Sequence, residues 1–354
     1  MRYTLFGRTG LRVSEIALGT MTFGGEDSGW GVSKNACARI LDAYAEAGGN
    51  IIDTADVYTG GQSETLLGEL LAGRRDEFVL ATKFTLATGP GGPNAAGNHR
   101  RKLVASLDAS LRRLRTDYVD VLWVHARDVF TPVEEVMRAL DDQVTAGKVH
   151  YVAVSDWPAW EVSQANTLAQ LRGWSPFAGL QIRYSLLDRD AERDLLPMAE
   201  SFDLPVLAWS PLAGGKLTGK YLRGESGRLS QPGGDGGEDS HRKREDAVVR
   251  TVVEIAREGG WTPAQVAVAW LLHRPGTVIP LFGATSERQV TDVLGAAGVR
   301  LDAEQLARLD EVSRVPLGFP HDFLNEEAVR NAVYGPRWRE IDDRRTTCRR
   351  SLAG

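Results

Sequence analysis

Cysteine is almost absent: two in 354 residues, Cys37 in an amphipathic stretch and Cys348 in a charged tail. That excludes a disulfide framework and a cysteine metal site, and it points to a reducing compartment. Of six histidines, His99, His241 and His273 have no companions at metal-ligand spacing. No metal is expected. Basic charge is not in surplus either, since 42 Lys and Arg stand against 47 Asp and Glu for a formal net charge of -5. Such a balance offers no field for nucleic acid or a membrane surface. No apolar run is long enough to span a bilayer, and the first residues lack the apolar core of a secretory signal, so a cytoplasmic protein is expected. A Gly-x-Gly-x-x-Gly after the first strand is also missing, which argues against a Rossmann dehydrogenase. The run from Gly214 to Lys220 nearly spells a nucleotide-triphosphate loop, but Tyr221 stands where magnesium needs a Ser or Thr.

What the chain does have is alternation. Residues 2–6 and 11–13, joined by a Gly-Arg-Thr-Gly turn, read as a hairpin able to cap one end of a barrel. Eight short apolar runs follow, beginning near 16, 51, 78, 121, 149, 180, 205 and 277, nearly all separated by helix-spaced apolar residues. This regularity predicts an α/β fold, an eight-stranded parallel (β/α)8 TIM barrel with an N-terminal β-hairpin cap and extra helices, over residues 1–319. Thr131-Pro132-Val133-Glu134 and Thr262-Pro263-Ala264-Gln265 each read as a capping box with proline at the first helical position. A glycine-rich segment at 224–241 reads as a mobile loop, and 320–354 as a tail that drapes over the surface or stays partly loose.

Four polar residues stand at or just past strand ends: Asp53, Tyr58, Lys83 and His125. In a parallel barrel, that end is where chemistry sits. A phenol, with a reference pKa of about 10, is a weak acid unless its anion is favoured. Lys83 beside Tyr58 would lower the tyrosine's pKa, and Asp53 would keep the lysine charged. His125 could donate or relay a hydrogen bond to the same oxygen site. The set suits a carbonyl becoming an alcohol, and because it holds no hydride donor it calls for a nicotinamide. Taken singly, each of these residues is more simply a cap, a core group or a surface group.

The strings Leu18-Gly19-Thr20-Met21-Thr22-Phe23-Gly24, Asp53-Thr54-Ala55-Asp56-Val57-Tyr58, Thr82-Lys83 and Val124-His125 resemble those of aldo-keto reductases. The resemblance implies a tetrad of Asp53, Tyr58, Lys83 and His125, with Tyr58 as general acid, and NADP(H) as cofactor. It implies that Ser155, Asp156 and Gln181 meet the nicotinamide carboxamide and that Tyr184 stacks on the ring. Ser210, Leu212, Gly214 and Lys216 would wrap the pyrophosphate, while Gly283, Thr285, Arg288 and Gln289 would meet the adenosine end. Ser286 to Gln289 also read as a helix start, which attracts phosphate in its own right, or as a further capping box.

Departures from the family pattern stand at four positions. Asp156 replaces a usual asparagine, Thr285 an arginine, Val293 an asparagine and Arg183 an acidic residue. Trp30, Phe84 and Trp157, with Phe282, all follow or close strands and suggest an aromatic-lined substrate mouth for aldehydes or ketones. Two other readings share the tetrad: a cofactor-binding regulatory subunit resembling potassium-channel beta subunits, and a sugar ketoreductase of a biosynthetic pathway.

Overall fold

The structure, a computed structural model, describes residues 1–26, 31–225 and 239–341. Two strands, β1 (Tyr3–Leu5) and β2 (Arg12–Ser14), pair antiparallel. Eight more close a wholly parallel barrel: β3 (Ala17–Gly19), β4 (Ile51–Asp53), β5 (Val79–Phe84), β6 (Val119–Val124), β7 (Val149–Ser155), β8 (Leu180–Arg183), β9 (Val206–Trp209) and β10 (Val278–Gly283). They follow chain order around the ring, with β10 closing against β3. The (β/α)8 fold and the hairpin expected from the sequence are both present.

Helices separate the strands, among them α1 (Lys34–Glu46), α2 (Gln62–Leu70), α3 (Arg100–Leu114), α4 (Val133–Thr145), α5 (Ala159–Arg172) and α6 (Leu195–Phe202). Two more, α7 (Asp239–Gly259) and α8 (Pro263–Leu272), lie between β9 and β10, and α9 (Glu287–Leu294) and α10 (Ala303–Ser313) follow. Thr262 and Gln265 form the reciprocal capping box of α8, as their spacing predicts. The box expected at α4 does not form. The N-cap falls one residue later, on Pro132, which has no side chain able to accept, and the Thr131 hydroxyl donates to Asp128 Oδ2 at 2.6 Å. The expected loop at 224–241 falls mostly on 226–238, outside the described residues, and its last three positions belong to α7.

The chain divides into two compact units, Met1–Arg314 and the segment from Val315 onward, five residues before the expected boundary. That second segment carries α11 (His321–Asn325) and α12 (Glu327–Tyr334), neither with a buried residue. Its few apolar residues suffice for short exposed helices that their sparse spacing did not reveal.

Side-chain alternation sorts the barrel into two packed layers. Ile51, Ala81, Trp123, Ala153, Leu207 and Leu281 fill the interior together with Phe6 and Val13 of the hairpin. Their strand neighbours Ile52, Leu80, Leu122, Val152, Ala208 and Phe282 face the helices. The hairpin closes the base: Phe6 meets Trp123 edge-on at 6.4 Å. Gly7 makes that approach possible, since at φ +60° a Cβ there would stand 2.5 Å from the Asp203 carbonyl.

Candidate active site

The inward parity that fills the interior also aims the polar residues at its far end. Two positions past Ile51 comes Asp53, two past Ala81 comes Lys83, two past Trp123 comes His125, two past Ala153 comes Ser155, and two past Leu207 comes Trp209. Past β4 the chain runs on beside β5, with the Thr54 N–H on the Ala81 carbonyl and the Asp56 N–H on the Lys83 carbonyl. A short 3₁₀ turn then presents Tyr58.

Three of the four candidate catalytic groups are bonded together. Lys83 Nζ donates to Asp53 Oδ2, to the Thr54 carbonyl at 2.8 Å and to the Tyr58 hydroxyl at 3.0 Å. An ammonium has three donors, so this one is fully satisfied although buried. Burial works against its charge, yet Asp53 and Tyr58 outweigh it and hold the amine above its ordinary value. Burial pushes the Asp53 carboxyl up, against the pull of Lys83 and a hydrogen bond from Gln181 Nε2 at 3.1 Å. These two directions oppose each other within one ion pair. The three acceptors around Nζ decide for a charged lysine, and a charged lysine needs its carboxylate.

Tyr58 corrects one expectation. Lys83 does pull its pKa down, but burial is the larger influence and Asp53 adds to it, so the phenol is held above its ordinary value. It is a proton donor kept protonated. The His125 ring meets Tyr58 edge-on at 6.1 Å. Burial, and then the Lys83 charge, depress His125 to about 3, so the imidazole is neutral. Its Nδ1 is buried without a partner.

The cofactor candidates divide. Ser155 and Gln181 are opposite each other in the β7–β8 register, and both are buried. Asp156, at φ +54°, accepts from Trp209 Nε1 at 3.2 Å, and its charge acts on both Tyr58 and Lys83. Burial raises the Asp156 carboxyl although the residue keeps contact with solvent, as fits a position within a concave rim. Past β9, Ser210, Ala213, Gly214 and Gly215 all adopt left-handed backbone, with Leu212 half-buried among them. Lys216 is bound to both oxygens of Glu245 at 2.8 and 2.9 Å, which offsets its charge. Ser286 caps α9 through the Gln289 N–H, but the Gln289 side chain turns back to the Thr285 N–H at 2.7 Å, so no reciprocal box forms. Arg288 is exposed beside them, and Gly283 ends β10.

Five expectations fail or fall away. Tyr184 is fully buried, packs on Trp270 at 5.5 Å and donates to Glu192 at 2.7 Å, so it faces the helices and not the mouth. Phe84 is likewise buried in the helical layer because its strand parity points outward, and Trp157 packs there edge-on to Phe177 because the left-handed backbone of Asp156 breaks the alternation just past β7. Phe282 packs there too, against Tyr44. Trp30 lies outside the described residues. Among the described residues an aromatic side chain not singled out from the sequence reaches the mouth: Trp209, its edge on Asp156 and its face 5.6 Å from the Arg183 guanidinium. Its signal was available: it stands two residues past inward-facing Leu207.

A cavity of about 520 Å³ opens at the other end, lined by Arg8, His150, Asn166 and Phe177 among others. It adjoins the strand starts and contains none of the tetrad, and reactive groups of such barrels sit at the strand ends.

A parallel barrel with a lysine–aspartate pair set against a phenol at its strand ends is the arrangement of the aldo-keto reductases. The chain belongs to that family: the profile of the Aldo/keto reductase family matches residues 15–314. It is therefore an oxidoreductase of a family that uses nicotinamide cofactors on small carbonyl compounds. Norsolorinic acid reductase of Aspergillus flavus is 37% identical to it, covering 91% of this chain and 83% of its own length. A putative aryl-alcohol dehydrogenase of Saccharomyces cerevisiae is 35% identical over 90% of this chain and 88% of its own. An uncharacterized oxidoreductase of Bacillus subtilis is 35% identical over 90% and 98%.

Proposed function

We propose that the chain is an NADPH-dependent carbonyl reductase that converts aldehydes or ketones to alcohols with Tyr58 as general acid. The observation that carries this reading is the buried Lys83 ammonium shared by Asp53, the Thr54 carbonyl and the Tyr58 hydroxyl. Tyr58 brings a proton to the carbonyl oxygen as charge develops there, and Lys83 stabilises the phenolate that remains. Neutral His125 offers one ring N–H to the same oxygen. Trp209, fixed at edge and face, gives a flat wall beside them.

The bound reduced nicotinamide supplies the hydride. This chain's residues fit such a group. Gln181 spends its Nε2 on Asp53, which leaves its oxygen, like the carboxylate of Asp156, to accept from a carboxamide N–H. Ser155 stands beside them. The turn through Leu212, left-handed at Ser210 and Gly214, and the start of α9 suit phosphate. Gly283, Thr285 and Gln289 suit the adenosine end, and Arg288 the 2'-phosphate.

An aldehyde and ketone panel, followed by loss of reduced-nicotinamide absorbance, tests the activity. Tyr58→Phe should lower turnover about 10²- to 10⁴-fold and leave NADPH affinity within about twofold. Turnover retained in that variant would remove Tyr58 as the acid, and a wild type inert across the panel would reject the reductase reading.

A further inference from the structure

Lys83 and Tyr58 are held at their reacting atoms by hydrogen bonds, whereas His125 Nδ1 has no partner among the described residues. An active-site imidazole is ordinarily aimed by what its second nitrogen bonds. Here the aim has to come from the backbone, and that backbone is pinned on both sides. The His125 N–H is shared between the Phe84 carbonyl at 3.0 Å and the Thr85 hydroxyl at 3.2 Å. The same hydroxyl donates to Asn98 Oδ1 at 2.6 Å, and Asn98 Nδ2 donates to the carbonyl of Ala126, the next residue, at 2.9 Å. The Thr85 carbonyl accepts the Gly97 N–H at 2.8 Å, and the Asn98 N–H ends on Asp128 at 2.9 Å. Both side chains are buried.

Thr85 is also strained. Its φ of +128° is a region in which a β-branched residue is an outlier. Glycine would occupy that backbone at ease. What a threonine offers in return is its hydroxyl, which joins the turn after β5 to the backbone N–H of His125.

We propose that Thr85 and Asn98 form a clasp that positions the His125 ring for reaction, acting through the backbone and touching neither substrate nor cofactor. The proposal rests on the carbonyl-reductase reading above. Thr85→Val keeps the branched shape and removes the hydroxyl, while Thr85→Ser keeps the hydroxyl. With NADPH and a small aldehyde, Thr85→Val is expected to lose about tenfold in kcat with NADPH Kd within about twofold, and Thr85→Ser to stay within about twofold of the parent. Asn98→Ala should fall as Thr85→Val does, and it carries the comparison if the valine variant does not fold. In a His125→Ala background, adding either substitution should cost less than about twofold more. A drop that persists in full without the imidazole, or a serine variant as impaired as the valine one, overturns the clasp. A second readout needs no turnover. The His125 ring ¹⁵N resonances should move in Thr85→Val and stay in Thr85→Ser, even if the wild type reduces no aldehyde on the panel. Unchanged resonances in the valine variant also overturn it.

Discussion

An ammonium whose three N–H groups each find an acceptor is costly to remove. In Lys83→Met, Asp53 would stay buried with Gln181 as its remaining partner, so a loss of about 3–5 kcal/mol is expected on top of lost turnover. Urea unfolding measures it, and a loss below about 1 kcal/mol would show that the carboxylate is compensated elsewhere. Asp56 gives a pH signature. It is buried with Oδ1 unpartnered, the Ser106 hydroxyl on Oδ2 and Lys102 at 3.7 Å, and burial raises it to about 6. A folded pKa above the unfolded one favours the protonated native state. The contribution is complete below the ordinary value and is lost as pH rises through about 6, about 3 kcal/mol in all. Asp56→Asn should therefore gain on the wild type in urea midpoint between about pH 4.5 and about pH 7; a constant difference would contradict the buried charge. His125, at about 3, should add no inflection to kcat/KM between about pH 5 and about pH 8, whereas a break near about 6.5 that disappears in His125→Gln would refute its neutrality.

The order of side chains along a strand explains which site residues could be read in advance. Asp53, Lys83, His125 and Gln181 share the parity of their inward neighbours. Tyr184 does not: three positions past Gln181 and two past Ile182, it turns to the helices. Alternation on β8 and β9 would have exchanged Tyr184 for Trp209, and alternation on β5 would have set Phe84 aside. The failure of the Thr131 cap was not legible by such means, because the Asp128 carboxylate to which its hydroxyl donates is placed by the loop geometry around Asn98. At α9, the exposed Arg288 has no ion pair or hydrogen bond among the described residues, unlike Lys216. Arg288→Ala is expected to weaken NADPH about tenfold, about 1.4 kcal/mol, and to leave NADH affinity unchanged. Titration of both cofactors by fluorescence checks it, and equal losses for the two would move 2'-phosphate recognition elsewhere.

At the scale of the molecule, the eight apolar runs and their intervening helices were enough to specify a closed parallel barrel. That follows because a parallel strand needs a covering helix for each crossover, and the pattern repeats that unit. The boundary at Arg314 was harder to place, since α12 beyond it has an apolar stripe but is only eight residues long and buries none of them, so its pattern does not say what it packs on.

The base of the barrel has a further bearing on the proposed reaction. With Phe6, Val13 and Trp123 packed beneath the lysine, the rim through which a carbonyl compound would arrive would also be the way for water to the phenol. A seated substrate would then shut off its own proton supply, and Tyr58 would be rearmed only after the alcohol has left. Each catalytic cycle would spend one stored proton, and solvent exchange at that oxygen would keep time with product departure.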